Sequence, residues 1–168
     1  MNFSNIEPQE SANKVLDTIW KGKSFPVDPF VIATQFGIKV IEADLPADVS
    51  GAIIKKKGND PIIALSKSDS NNRKRFSCAH ELGHYVYRTD ELQEEYDYID
   101  LRSKTSSIGT EPEEIFANKF AASLLMPEEE VKKLYKKKTP FFLMAQYFGV
   151  SDDAMTIRLE NLKLTTYA

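Results

Sequence analysis

The sequence predicts an α+β fold with a short, mostly antiparallel sheet, on three observations. Apolar residues recur at helical spacing near the start and again through the later part of the 168 residues. Runs rich in β-branched residues are confined to residues 38–66. The only two histidines stand four apart in FSCAHELGHYVY, residues 76–87, on one face of a predicted helix that follows the strands.

The first helix is expected over Ser11–Lys21, where Ala12, Val15, Leu16, Ile19 and Trp20 form an apolar stripe. A short second helix has Asp28 as N-cap, Pro29 at its first position and a stop at Gly37. Strands follow at IKVIEA (38–43), SGAIIKK (50–56) and PIIALS (61–66), the last two joined as a hairpin by Gly58-Asn59-Asp60. The polar stretch 67–75 leads into the histidine helix, with Asp69 or Ser70 as its cap. Residues 87–109 are polar and aperiodic, which predicts a long loop. A strong helix then runs from Thr110 to Met126 and stops at Pro127. The Lys-rich VKKLYKKK, 131–138, reads as a solvated helix face or loop. Two short helical patterns end the chain, broken at Gly149 and restarted by Ser151 as a cap, in the manner of a helix-turn-helix. The second of them opens on Asp152-Asp153 and offers chiefly Arg158 as a donor, so packing or protein docking is expected there and direct DNA binding is not.

Composition narrows the classes. The length suits about one domain with its own core, and a net charge of -3 with 28% charged and 42% hydrophobic residues argues against a general nucleic-acid binder. A lone cysteine, no signal-like start and no apolar run of ~20 residues give a cytoplasmic expectation. Cys78 reads as a small buried hydrophobe; two positions before His80, it points to a different helix face and would be a poor metal ligand.

HExxH on a helix puts His80 and His84 one turn apart, able to grip one metal ion, with Glu81 on the same side. A catalytic zinc takes three protein ligands and keeps a fourth position open, and with no third histidine the remaining ligand should be a carboxylate. TEPEEIFANKFAASLLMP offers Glu113 and Glu114. Thr110 and Glu113 have capping-box spacing, which gives Glu113 a structural task and mildly favours Glu114. Helical phase leaves the choice open, since the face of Ala117, Phe120, Ala121 and Leu124 lies slightly nearer Glu113. Gly83 costs about 1 kcal/mol against Ala inside a helix, which points to a close backbone approach beside the site.

RKRFSCAHELGHY together with EEIFANKFAASLLMP resembles the ImmA/IrrE family of zinc metallopeptidases, a branch of the HExxH zincins, and FPVDPFVIATQFGIKV, the strand pair and AQYFGVS are similar to that family as well. The resemblance implies a zincin-like domain over 1–130 with an active-site helix and a third-ligand helix, and a helix-turn-helix-like segment, 131–168, packed on it. It implies one Zn2+ ion held by His80, His84 and Glu114, with Asn118 orienting a ligand histidine from behind. Metal-assisted amide hydrolysis follows, with Glu81 as the base. Tyr85, Tyr87, Tyr96 and Tyr98 are candidates to stabilise the oxyanion. In family members the substrate is a helix-turn-helix (Xre-like) repressor guarding a mobile element or stress response, and an extended substrate is expected to add a strand near the 50–66 hairpin. The rival expectation is a non-hydrolytic regulator with a structural zinc, whose tail docks to DNA or to a partner.

Overall fold

The computed structural model describes residues 7–22, 24–91, 98–103 and 112–164. Helix α1 (Pro8–Val15) continues into a π-helical turn, Leu16–Trp20, and is followed by α2 (Pro29–Gln35), β1 (Lys39–Ala43), β2 (Val49–Lys55) and β3 (Ile62–Ser66). Then come α3 (Asn71–Glu91), β4 (Tyr98–Ser103), α4 (Pro112–Leu125), α5 (Glu128–Lys136), α6 (Phe141–Phe148) and α7 (Asp152–Asn161). The α+β order read from the sequence is the order observed. Among the described residues no helix is long and apolar enough to cross a membrane.

Local chemistry sets the element ends. The Asp28 carboxylate accepts from the N–H groups of Phe30 (2.9 Å) and Val31 (3.3 Å), capping α2 beside Pro29. At the other end Gly37 takes φ 72, and the N–H groups of Gly37 and Ile38 close back onto Thr34 and Ala33 in a Schellman arrangement. The same device ends α6: Gly149 has φ 64, and Val150 N–H returns to the Ala145 carbonyl. Ser70 Oγ accepts from Arg73 N–H at 3.3 Å and Ser151 Oγ from Ala154 N–H at 3.1 Å, so both serines cap as their positions predict.

The sheet order is β1-β3-β2-β4. β2 and β3 form the expected antiparallel hairpin, β1 lies parallel to β3, and β4 pairs antiparallel with β2. This corrects two expectations. The stretch 87–109 is not one loop: α3 runs on to Glu91 and residues 98–103 form β4. In YIDLRS, Ile99 and Leu101 alternate with Asp100 and Arg102, a two-residue period too short to stand out between polar flanks until β2 supplies the partner. Both hairpin strands are therefore internal, and the edges available for strand addition are β1 and β4 rather than the 50–66 hairpin.

One buried cluster joins all layers. Ile53, Ile63 and Leu65 of the sheet meet Leu82 of α3, Phe120 and Leu124 of α4, and Met144, Phe148, Met155 and Leu159 of the last two helices. Arg75 anchors the α6–α7 turn to α3, its Nε donating to the Gly149 carbonyl (2.9 Å) and Nη2 to that of Val27 (2.7 Å). Arg158 also turns inward, donating from Nε to the Met126 carbonyl at 3.0 Å, so it is not the exposed donor its position suggested. The Lys-rich segment lies on α5 as a largely solvated face, with Lys132 paired to Glu128 and Lys133 to Glu130.

α3 and α4 cross closely at Gly83. A Cβ placed on Gly83 would lie 2.8 Å from Ala117 Cα and 3.1 Å from Ala117 O, distances at which one backbone would have to move. The close approach anticipated at Gly83 is thus made by a helix. An exposed helical Gly→Ala change normally stabilises by about 1 kcal/mol. Here Gly83→Ala should instead destabilise by about 1–3 kcal/mol, the cost of overpacking. Denaturant midpoints at unchanged slope check this, and a gain in stability would remove the contact from the account of the fold.

Candidate metal centre

α3 lays His80 and His84 on one stripe, and α4 brings its first turn across them. His80 Nε2 stands 3.0 Å from His84 Nε2, Glu114 Oε1 lies 3.0 Å from His84 Nε2, and Glu114 Oε2 lies 3.3 Å from His80 Nε2. Donor atoms of these three residues all fall within 4.8 Å of one another, and the group could hold a metal ion. Both histidines are buried while Glu114 is about a quarter exposed, which leaves one side open to solvent. When both rings are protonated, hydrogen bonds from His80 and then His84 outweigh burial and hold the Glu114 carboxyl well below the usual carboxylate range; neutral rings that hold a metal would carry no such proton on Nε2. An ionised carboxylate facing two imidazole nitrogens is a donor set of the two-nitrogen, one-oxygen kind that suits zinc and leaves a fourth position free.

The far side of each ring decides which nitrogen is offered. His80 Nδ1 is 3.0 Å from Asn118 Oδ1, and an amide oxygen only accepts, so the proton belongs on Nδ1 and the lone pair on Nε2. His84 Nδ1 is 2.8 Å from Glu113 Oε1, with the same consequence. Arg88 Nε donates to that same Glu113 oxygen at 2.6 Å. Burial pushes the Glu113 carboxyl up, but the hydrogen bonds from His84 and Arg88 outweigh it and keep the group below its ordinary value. Both Nε2 lone pairs therefore converge where Glu114 points.

Glu113, the expected capping-box partner, serves His84 and Arg88 through its Oε1. Thr110, the other half of that box, lies outside the described residues. Arg88 is the residue the sequence reading missed. Its place four residues after His84, on the same helix stripe, was the available signal, yet only the fold brings Glu113 between them.

Glu81 is fully buried on the flank of α3 that faces β2, where a Cβ on Gly51 would sit 3.4 Å from Glu81 Oε1. It stands outside the three-residue donor group. Cys78 is buried as well; burial first, then the neighbouring Glu81 and Asp28 charges, push its thiol up and keep it protonated. Tyr85 packs edge-on against Phe36 with ring centroids 5.8 Å apart, and Tyr87 packs on Phe116 at 5.2 Å, so these two tyrosines serve the core. Tyr96 lies outside the described residues, and Tyr98 contributes its backbone to β4.

The geometry ranks the two glutamates. Glu114→Gln should weaken metal binding most, because it removes the converging charge. Glu113→Gln and Arg88→Met should each cost roughly 10–100-fold in metal affinity through His84, with Arg88→Met no worse than Glu113→Gln. Competition with a chromophoric chelator measures all three. Equal affinities for wild type and the Glu113 and Arg88 variants would show that this chain of contacts does not act on the metal.

Comparison with known proteins agrees with this construction. A solved structure of a Mycobacterium tuberculosis transcriptional regulator shares the fold over 91% of this chain with a TM-score of 0.61 at 18% sequence identity. The chain spans 46% of that protein. No curated protein matches it in sequence. The IrrE N-terminal-like domain of the Peptidase M78 family matches residues 33–160, a span that runs from the end of α2 into the last turn of α7 and holds every residue of the candidate metal centre. The chain therefore belongs to the Peptidase M78 family, with a metallopeptidase-like domain of the IrrE N-terminal type.

Proposed function

We propose that the chain is a zinc-dependent endopeptidase that hydrolyses one peptide bond in a specific cytoplasmic regulator, a helix-turn-helix (Xre-like) repressor of a mobile element or stress response. The observation that carries this reading is the convergence of His80 Nε2, His84 Nε2 and the ionised Glu114 within 4.8 Å, with Glu81 one residue along the same helix. His80, His84 and Glu114 would hold the ion, and Asn118 and Glu113 would fix the rings. Bound there, zinc supplies polarisation of the scissile carbonyl and acidification of water. Glu81 takes a proton from the attacking water at a carboxylate oxygen, the C–O bond forms, and the same proton passes to the departing amine nitrogen as the C–N bond breaks. Glu81 is fully buried beside β2.

Selectivity for one partner is supported by the tail. Phe142 (45% exposed), Leu143 (43%) and Tyr147 (39%) on α6 offer apolar surface away from the metal, whereas α7 opens on two acidic residues and spends Arg158 on Met126. That surface suits protein docking better than phosphate contact, and docking raises the effective concentration of one scissile segment. The name of the Mycobacterium tuberculosis neighbour favours a second reading, a non-hydrolytic zinc-containing regulator. A structural zinc site is normally closed by four protein ligands, and among the described residues the donor group has three.

Two outcomes are expected with a helix-turn-helix repressor as substrate, taken from the neighbouring genes if one is encoded there. Glu81→Gln should retain zinc and lose at least ~10²-fold in cleavage rate, because the amide keeps the shape and cannot take the proton. Zinc analysis beside timed digests decides it, and wild-type cutting by this variant would overturn the peptidase mechanism. Leu143→Ser with Tyr147→Ser should slow repressor cleavage while leaving zinc content unchanged; undiminished cleavage would remove α6 from recognition.

A further inference from the structure

A cavity of about 890 Å³ opens between the start of α1, the first turn of α3, the outer face of α4 and α7. Its volume is in the range of small-molecule sites. It lies beside the metal centre without including the donor residues: Phe76 and Arg73 sit four and seven residues before His80 on α3, and Asn118, whose Oδ1 touches His80 Nδ1, forms part of its wall.

Arg158 also lines the cavity and is 6% exposed. Its Nε is satisfied by the Met126 carbonyl, but Nη2 is buried with no hydrogen-bond partner among the described residues. The acidic group that acts on it most, Glu128, already receives Lys132 and Gln9. Buried guanidinium groups are ordinarily paired, because taking the charge out of water is costly and its planar fork matches a carboxylate or phosphate. Arg73, part-buried and donating to Ser50 Oγ, and the exposed Lys119 add positive charge to the walls, against the exposed Glu7 and Asp153. Among the described charged residues of the lining, the buried one is thus the Arg158 guanidinium.

We propose that this cavity is a second binding site, for a small anion of metabolite size bearing a carboxylate or phosphate, with Arg158 holding the anionic group. The proposal is independent of the peptidase reading, since it concerns binding alone.

The test is an amide and guanidinium NMR titration of the full chain, metal-free and zinc-loaded in parallel, with succinate, with inorganic phosphate, and with chloride at matched ionic strength. Saturable shifts at Arg158 Nε–H, Asn118 and Ser123 are expected with succinate or phosphate in both forms of the protein, and the tighter of the two names the preferred group. Arg158→Met should lower the affinity at least ~10-fold, as expected for loss of a charge-assisted hydrogen bond. Ala122→Leu, which fills the cavity wall while leaving the Arg158–Met126 contact in place, should do the same and decides the matter if Arg158→Met fails to fold. An equal response to chloride, an affinity present only with zinc, or an unchanged affinity in the folded variants would each overturn the proposal.

Discussion

Everything at the metal centre depends on how closely two helices cross. At Gly83 and Ala117 the backbones of α3 and α4 approach to a distance that leaves no room for a methyl group on the glycine. Ala117 sits between the two residues that matter on α4, three after Glu114 and one before Asn118. Seating Ala117 on Gly83 therefore sets Glu114 against both imidazoles and Asn118 against His80 together. Each side chain then needs only a short reach, and an interhelical gap wider by a methyl group would be felt at every donor. Interiors this tightly packed relax only partly, so the crossing behaves as a fixed jig.

The same crossing builds an asymmetry into the two histidines. His80 is oriented by a neutral amide, His84 by a carboxylate that is itself held by Arg88. A ring whose N–H is bonded to an anion donates more strongly from its other nitrogen, and of the two candidate ligands His84 is the one whose position is fixed by charge. Arg88 in turn keeps Glu113 ionised in a half-buried place. Three residues from two helices, Asn118, Glu113 and Arg88, thus orient the rings in advance, and most of the orienting cost falls on folding rather than on binding.

Local signals were legible in the sequence. Asp28, Gly37, Gly58, Ser70, Gly149 and Ser151 act within a few residues of themselves, and each takes the turn or cap its chemistry implies. HExxH is of the same kind, because a helix brings His80 and His84 together without help. Gly83 marked a close contact but not its partner. What could not be read was non-local. β4 exists because β2 has an edge to offer, which the weak alternation of YIDLRS does not announce. Capping spacing gave Glu113 a local task, whereas the contacts that occupy it come from a helix more than 20 residues earlier. Arg158 looked like a surface donor by sequence, yet it is buried with its Nε on the Met126 carbonyl, 32 positions earlier in the chain.

The most direct test is the structure of the protein with zinc bound, by crystallography or by X-ray absorption paired with one. The expected result is zinc on His80 Nε2, His84 Nε2 and a Glu114 oxygen, with Nδ1 of each ring still on Asn118 and Glu113 and Gly83 still seated on Ala117. Zinc bonded to Glu113 in place of Glu114, to Glu81, or to either histidine through Nδ1 would contradict it.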